Sequence, residues 1–174
     1  MVRVVLILAL LLMLPGEVMA KDGAAWHKKR VVVHDYTSAA YKPYVAEMVA
    51  AFNAMLPKRA PKLVYREQPE RACNTLDKKR PKVITICLSG GEWDMTATDA
   101  KHGEITRATV ILIGNDTPDQ IHNTICHELM HAVTDAPDDY RDPHLTESCV
   151  QGMTPYPGAW DKAYARKVYR KHGR

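Results

Sequence analysis

Past residue 20 this chain has no apolar run approaching the ~20 residues that a membrane-spanning helix needs, no low-complexity tract and no internal repeat. Those absences argue against a further helical membrane span, a disordered or fibrous chain and a repeat solenoid. An excess of one charge is missing too, since 24 Lys and Arg stand against 20 Asp and Glu for a net +4. The basic clusters lie at the ends, Lys21, Lys28, Lys29 and Arg30 at one and Arg166, Lys167, Arg170, Lys171 and Arg174 at the other. They read as solvated termini, so no nucleic-acid partner is expected. Finally, no two of the four cysteines stand at the close spacing of a cysteine zinc site.

What is present begins with residues 1–20, which read as a cleavable secretory signal. Arg3 precedes an apolar run from Val4 to Leu14, Pro15-Gly16 breaks it, and Val18-Met19-Ala20 ends in small residues. Lys21, not a cysteine, follows the expected cleavage site after Ala20, so a lipid anchor is not suggested, and the product would be secreted or periplasmic. Residues 21–174 then form one domain by length, expected to be a monomer. In an exported chain four cysteines imply two disulfides with three possible connectivities. Cys73 and Cys87 flank a turn-rich stretch, whereas Cys126 and Cys149 would join a helix to the segment returning beneath it, so the pairing favoured is Cys73–Cys87 with Cys126–Cys149.

Hydrophobic periodicity orders the elements. Arg30 to Tyr36 reads as a buried strand, Ser38 caps a helix running to Leu56 before Pro57, Lys62 to Glu67 and Lys82 to Leu88 are strands, and Ile105 to Ile113 is the last strand. A helix follows from Thr117, and Ala159 to Lys171 closes the chain as an amphipathic helix. The fold class expected is α/β, a mixed twisted sheet packed on a long N-terminal helix and a second long helix, with a C-terminal helix.

The second long helix carries the chemistry. Thr117-Pro118-Asp119-Gln120 is a helix start with an N-cap, a first-position proline and a capping-box glutamine. Ile121, Ile125, Leu129 and Ala132 make its apolar stripe, while Gln120, Thr124, His127, His131 and Thr134 fall opposite. His127-Glu128-Leu129-Met130-His131 therefore sets two imidazoles one turn apart on a cleft-facing side, with a carboxylate beside them. That is the pattern of a zinc site with its own base. A chance pentad is the competing explanation, against which export and the helical placement weigh. His34, His102 and His122 have no partner pattern and read as structural or surface histidines.

This order of elements, with the pentad on the second helix, resembles a small metzincin-type zinc endopeptidase, in particular the snapalysin family of secreted bacterial proteases. The resemblance is specific from about Thr117 to Gly158, where Pro137-Asp138-Asp139-Tyr140 matches the family's Pro-Asp-x-Tyr and Ser148-Cys149 and Pro155-Tyr156-Pro157 are also similar. It implies a zincin-like sandwich and a third zinc ligand at Asp138. Thr134 stands where the family has glycine, and Pro-Asp-x-Tyr arrives one residue late. If Asp135 supplies the left-handed turn in place of that glycine, the ligand slips by one and lands on Asp138. Asp139, His144 and Glu147 remain alternatives for that position. Met153 is the candidate for the family's methionine turn, against a plain core methionine, and Tyr156 for a hydrogen bond to the scissile carbonyl, against a packed aromatic.

The function expected is that of a secreted zinc endopeptidase with one catalytic zinc, hydrolysing peptide bonds through a zinc-activated water with Glu128 as general base. Protein or peptide substrates would extend along an edge strand, taken to be Thr106 to Ile113. The alternative is a catalytically inactive zincin-fold domain that binds zinc or protein. No calcium site is assigned.

Overall fold

The computed structural model of the protein describes residues 23–76, 82–91, 93–138, 147–150, 152 and 154–172. Residues 1–20, read above as a signal, lie outside them. The order is β1 (Arg30–Asp35), α1 (Lys42–Met55), β2 (Lys62–Glu67), β3 (Val83–Leu88), β4 (Met95–Lys101), β5 (Glu104–Leu112), α2 (Pro118–Thr134) and α3 (Ala159–Lys171). The five strands form one mixed sheet in the order β2-β1-β3-β5-β4, parallel except for the β4–β5 pair. α1 packs over β2, α2 over β5 and β4, and the two helices meet side by side, with α3 against α2. Val31, Val33, Ile84, Ile86, Val110 and Leu112 from the sheet interlock with Val45, Met48 and Phe52 of α1 and Ile125, Leu129 and Val133 of α2 in one core. The coarse expectation, an α/β fold with a mixed sheet packed on helices, is thus what forms.

Three expectations are corrected. The helix expected from Ser38 begins at Lys42; Pro43 has no N–H to donate to Ala39, and the Ser38 carbonyl instead closes a turn by accepting from Tyr41 N–H at 3.0 Å. The sheet has five strands rather than four, because Met95 to Lys101 is a strand made of small and polar residues. It returns into β5 through the tight turn His102-Gly103, both in the left-handed region at φ 52° and 76°, which suits the twist of a two-residue hairpin. As a result Thr106 to Ile113 is not an edge: β5 lies between β3 and β4, and β4 is the edge strand.

Thr134 departs from its expected place on the open face of α2. It is fully buried, and its hydroxyl donates back to the Met130 carbonyl at 2.8 Å. The reason is the covering of this helix end. The last four carbonyls of a helix lack intrahelical partners, and here each finds one. Asp135 N–H donates to His131 O at 2.8 Å, Trp26 Nε1–H to Ala132 O at 2.9 Å, the Tyr169 hydroxyl to Val133 O at 2.8 Å and Ala24 N–H to Thr134 O at 3.1 Å. Gly23 is required for that approach, since a Cβ there would come within 2.6 Å of Thr134 O. The end of α2 that carries the pentad is thereby clamped between the N-terminal segment and α3.

Both expected disulfides form, Cys73–Cys87 and Cys126–Cys149. The first ties the short turn before β3 to that strand, and the second ties α2 to the return segment 147–150. Among the described residues no helix is long and apolar enough to cross a membrane, and the disulfides are compatible with an extracellular location.

Candidate metal centre

α2 starts as its sequence dictates. Gln120 Oε1 accepts from Thr117 N–H at 3.0 Å, the reciprocal arm of a capping box, and Pro118 occupies the first helical position. With the N-terminus set, the i, i+4 spacing brings His127 Nε2 and His131 Nε2 to 3.1 Å on the open face. The chain leaves the helix through Asp135, left-handed at φ 49° and ψ 39°. A short Asp side chain tolerates that conformation where a β-branched Thr resists it. The exit carries Ala136, Pro137 and Asp138 back under the histidines, and Asp138 Oδ1 lies 3.0 Å from His131 Nε2 and 3.3 Å from His127 Nε2. His127, His131 and Asp138 are a donor group that could hold a metal ion.

The ring orientations are fixed from outside. His131 Nδ1–H donates to the Ala136 carbonyl at 2.6 Å, which leaves the Nε2 lone pair facing its neighbours. The backbone of Val150 and of Cys149 lies against the His127 ring and favours its protonated form. Burial, followed by the neighbouring His131, holds the His127 imidazole below its ordinary basicity, against the opposing pull of Asp138. A neutral ring is the form that can donate a lone pair to a cation.

Glu128 is 5% exposed, and its Oε1 lies 4.0 Å from His127 Nε2. Burial raises its carboxyl above the usual carboxylate range, while the hydrogen bond from Thr96 and the proximity of His131 oppose that rise. Thr96 on β4 places its hydroxyl 2.7 Å from Glu128 Oε2 and 2.8 Å from the Glu128 carbonyl oxygen. Two positions along, the Thr98 hydroxyl donates to Asp135 Oδ1 at 2.7 Å. The edge strand therefore grips both the carboxylate of the pentad and the residue that turns the chain out of the helix. Together these groups wall a cleft of about 450 Å³ between β4 and the end of α2, to which Asp94 and Met95 also contribute. Burial pushes the Asp94 carboxyl up, opposed by the Ile113 N–H that donates to it at 2.7 Å.

The other expected residues fall as follows. Glu147 is not part of the donor group; it is exposed at the start of the return segment. Asp139, His144 and Met153 lie outside the described residues. Tyr156 is not in the wall of the cleft: its hydroxyl donates to Glu47 Oε1 of α1 at 2.6 Å, and its ring lies 5.1 Å from that of His122. His122 itself meets Glu47 at 3.3 Å and Tyr44 edge-on, His34 sits in β1, and His102 makes the β4–β5 turn. Sequence reasoning missed Thr96 and Thr98, whose signal was the period-two pair of β-branched residues in Met95-Thr96-Ala97-Thr98.

No protein-family model matches this chain, and no curated protein matches it. The fold and site thus define an α/β protein with a candidate metal centre on the clamped end of a helix.

Proposed function

We propose that this protein is a secreted zinc-dependent endopeptidase of metzincin-like, snapalysin-type organisation. One observation carries the reading: His127 Nε2, His131 Nε2 and Asp138 Oδ1 converge with mutual distances of 3.1, 3.3 and 3.0 Å, with Glu128 beside them. Ligands about 2.0–2.1 Å from a tetrahedral zinc stand about 3.3 Å apart, so the donor triangle suits that ion in size as well as in chemistry. Two imidazoles and a carboxylate leave room for a water or substrate oxygen, as catalytic zinc sites do. Asp135 in the left-handed turn supports the one-residue slip that makes Asp138, not its neighbour, the third ligand.

His127, His131 and Asp138 would hold the metal. When bound there, zinc supplies Lewis-acid chemistry, polarising a peptide carbonyl and making water a nucleophile near neutral pH. Glu128 takes the proton of the attacking water and passes it to the leaving amine, and its burial keeps it poised for both steps. Thr96 orients the Glu128 carboxylate from the strand side. Substrate lies extended along β4, the edge strand that walls the cleft, where main-chain groups pair and side chains alternate. Trp93, 79% exposed, and Met95, 50% exposed, flank that track and receive apolar substrate side chains.

The test is zinc stoichiometry of the oxidised chain beside casein cleavage with and without a chelator. About one zinc per chain with chelator-sensitive cleavage is the expected result for a mononuclear catalytic site. Glu128→Gln should keep the zinc and the fold and lose about 100-fold or more in turnover. Zinc without cleavage would favour a non-catalytic zinc-binding domain, and a folded chain without zinc overturns the reading.

A further inference from the structure

The return segment 147–150 is held from the far side by the first turn of α3. Asp161 is fully buried, and both its oxygens are used on this segment and on its own helix start. Oδ1 accepts from the Ser148 hydroxyl at 2.8 Å; Oδ2 accepts from Cys149 N–H at 3.0 Å and from Gly158 N–H at 2.7 Å. Ser148 Oγ in turn accepts from Val150 N–H at 3.1 Å. The amides of Cys149 and Val150 are therefore both tied to one carboxylate, the first directly and the second through Ser148. These are the two residues whose backbone lies against the His127 ring, and Cys149 is joined by its disulfide to Cys126, the neighbour of His127.

A helix cap alone does not account for this arrangement. Capping α3 needs only the Gly158 N–H arm, whereas two further donors reach Asp161 from a segment that lies earlier in the chain. The packing is also closer than a cap requires: a Cβ on Gly158 would stand 1.8 Å from the Glu147 carbonyl oxygen, so glycine is obligatory at that contact. Cys149 is fixed from the other side by its disulfide to Cys126, the residue before His127.

We propose that Asp161 is the positioning residue of His127. By holding the Cys149 and Val150 backbone in register, the first directly and the second through Ser148, it sets the face that this backbone presents to the His127 ring, and with it the ring orientation that leaves Nε2 toward His131 and Asp138. Groups that orient a ligand histidine from behind typically change metal affinity by about 10–100-fold. The inference rests on the metal reading above, but the tautomer of His127 reports on it without any metal.

The experiment uses the oxidised chain and four variants, Asp161→Ala, Asp161→Asn, Ser148→Ala and, as a control in the same helix, Val168→Ala. Zinc affinity is measured by competition with a chromophoric chelator, and the His127 tautomer by imidazole 15N shifts in the metal-free protein. Asp161→Ala should weaken zinc binding about 10–100-fold and shift His127 from one tautomer to a mixture. Asp161→Asn, which keeps one acceptor oxygen, should fall between it and the parent, and it carries the test if the alanine variant does not fold. Ser148→Ala should lose less, because the Cys149 arm persists. Val168→Ala should lower thermal stability without moving either readout. Unchanged affinity and tautomer in both Asp161 variants overturn the proposal, as does an equal loss in Val168→Ala. If the parent chain binds no zinc, the metal reading fails, and the tautomer shift alone decides the role of Asp161.

Discussion

The Thr96 hydroxyl on β4 stands 2.7 Å from Glu128 Oε2 and 2.8 Å from the carbonyl oxygen of the same residue, so one strand side chain touches both ends of Glu128. A hydroxyl has a single proton and serves one acceptor at a time. In the proposed endopeptidase the carboxylate bond is the one that would matter, because it sets where Glu128 points.

Thr96→Val keeps the β-branched shape on the strand and removes only the hydroxyl. A hydrogen bond to a charged group contributes about 1.5–3 kcal/mol, which predicts a fall in kcat of about 10- to 100-fold with zinc content unchanged. Thr96→Ser should recover most of it. Steady-state kinetics on one peptide check this, and a valine variant with parental kcat would remove Thr96 from the machinery.

Asp138 has a half-exposed side chain, so its loss should not disturb the core. Changes behind a ligand already weaken metal binding about 10–100-fold, and loss of a direct ligand should cost more. Asp138→Ala is therefore expected to bind zinc at least about 100-fold more weakly while its metal-free melting temperature stays at the parental value. Parental affinity in this variant would transfer the third position to another residue.

The two disulfides should separate in their effects. Each closes a short loop, with sequence separations of 14 and 23 residues, so removing either by paired Cys→Ser changes should lower stability by about 3 kcal/mol. Only the loss of Cys126–Cys149 should also weaken zinc binding, because only that bridge ends beside His127 and beneath its ring. Denaturant unfolding and chelator competition on the two double variants measure both quantities.

Alkaline pH should destabilise the fold in a definite window. Burial first, and then the Asp35 carboxylate that accepts its hydroxyl at 2.8 Å, raises the Tyr65 phenol; burial raises Tyr169. Both folded-state values lie above the unfolded value near 10, so above about pH 10 the unfolded chain loses protons that the native chain keeps. Their stabilisation is complete below that pH and declines as pH rises through the folded values. Absorbance of the phenolate band should show these two of the eight tyrosines ionising only with unfolding.

Much of the architecture was legible because it repeats locally. Ile121, Ile125 and Leu129 recur at helical spacing, and Lys62–Glu67 and Ala159–Lys171 match their expected bounds. β4 was not legible in the same way. Thr96, Ala97, Thr98 and Asp99 offer too little apolar contrast for a strand, and pairing with β5 is what makes them one. The same omission misplaced the edge of the sheet. The left-handed exit at Asp135 was legible from residue type, since a Thr at 134 resists that conformation and an Asp does not.

The sequence by itself determined the pentad, the helix that carries it and the residue suited to the left-handed turn before Asp138, because each depends on neighbours a few residues away; among three cysteine pairings it only favoured the one that the fold forms. Only the tertiary structure decided what surrounds them. Thr96 and Thr98 reach Glu128 and Asp135 across a strand-to-helix contact, Trp26 and Tyr169 seal the carbonyls at the end of α2, and Asp161 reaches His127 through two other residues. Those partners are 12 to 106 positions apart in the chain, and no local period records which distant group a fold will bring to a helix end.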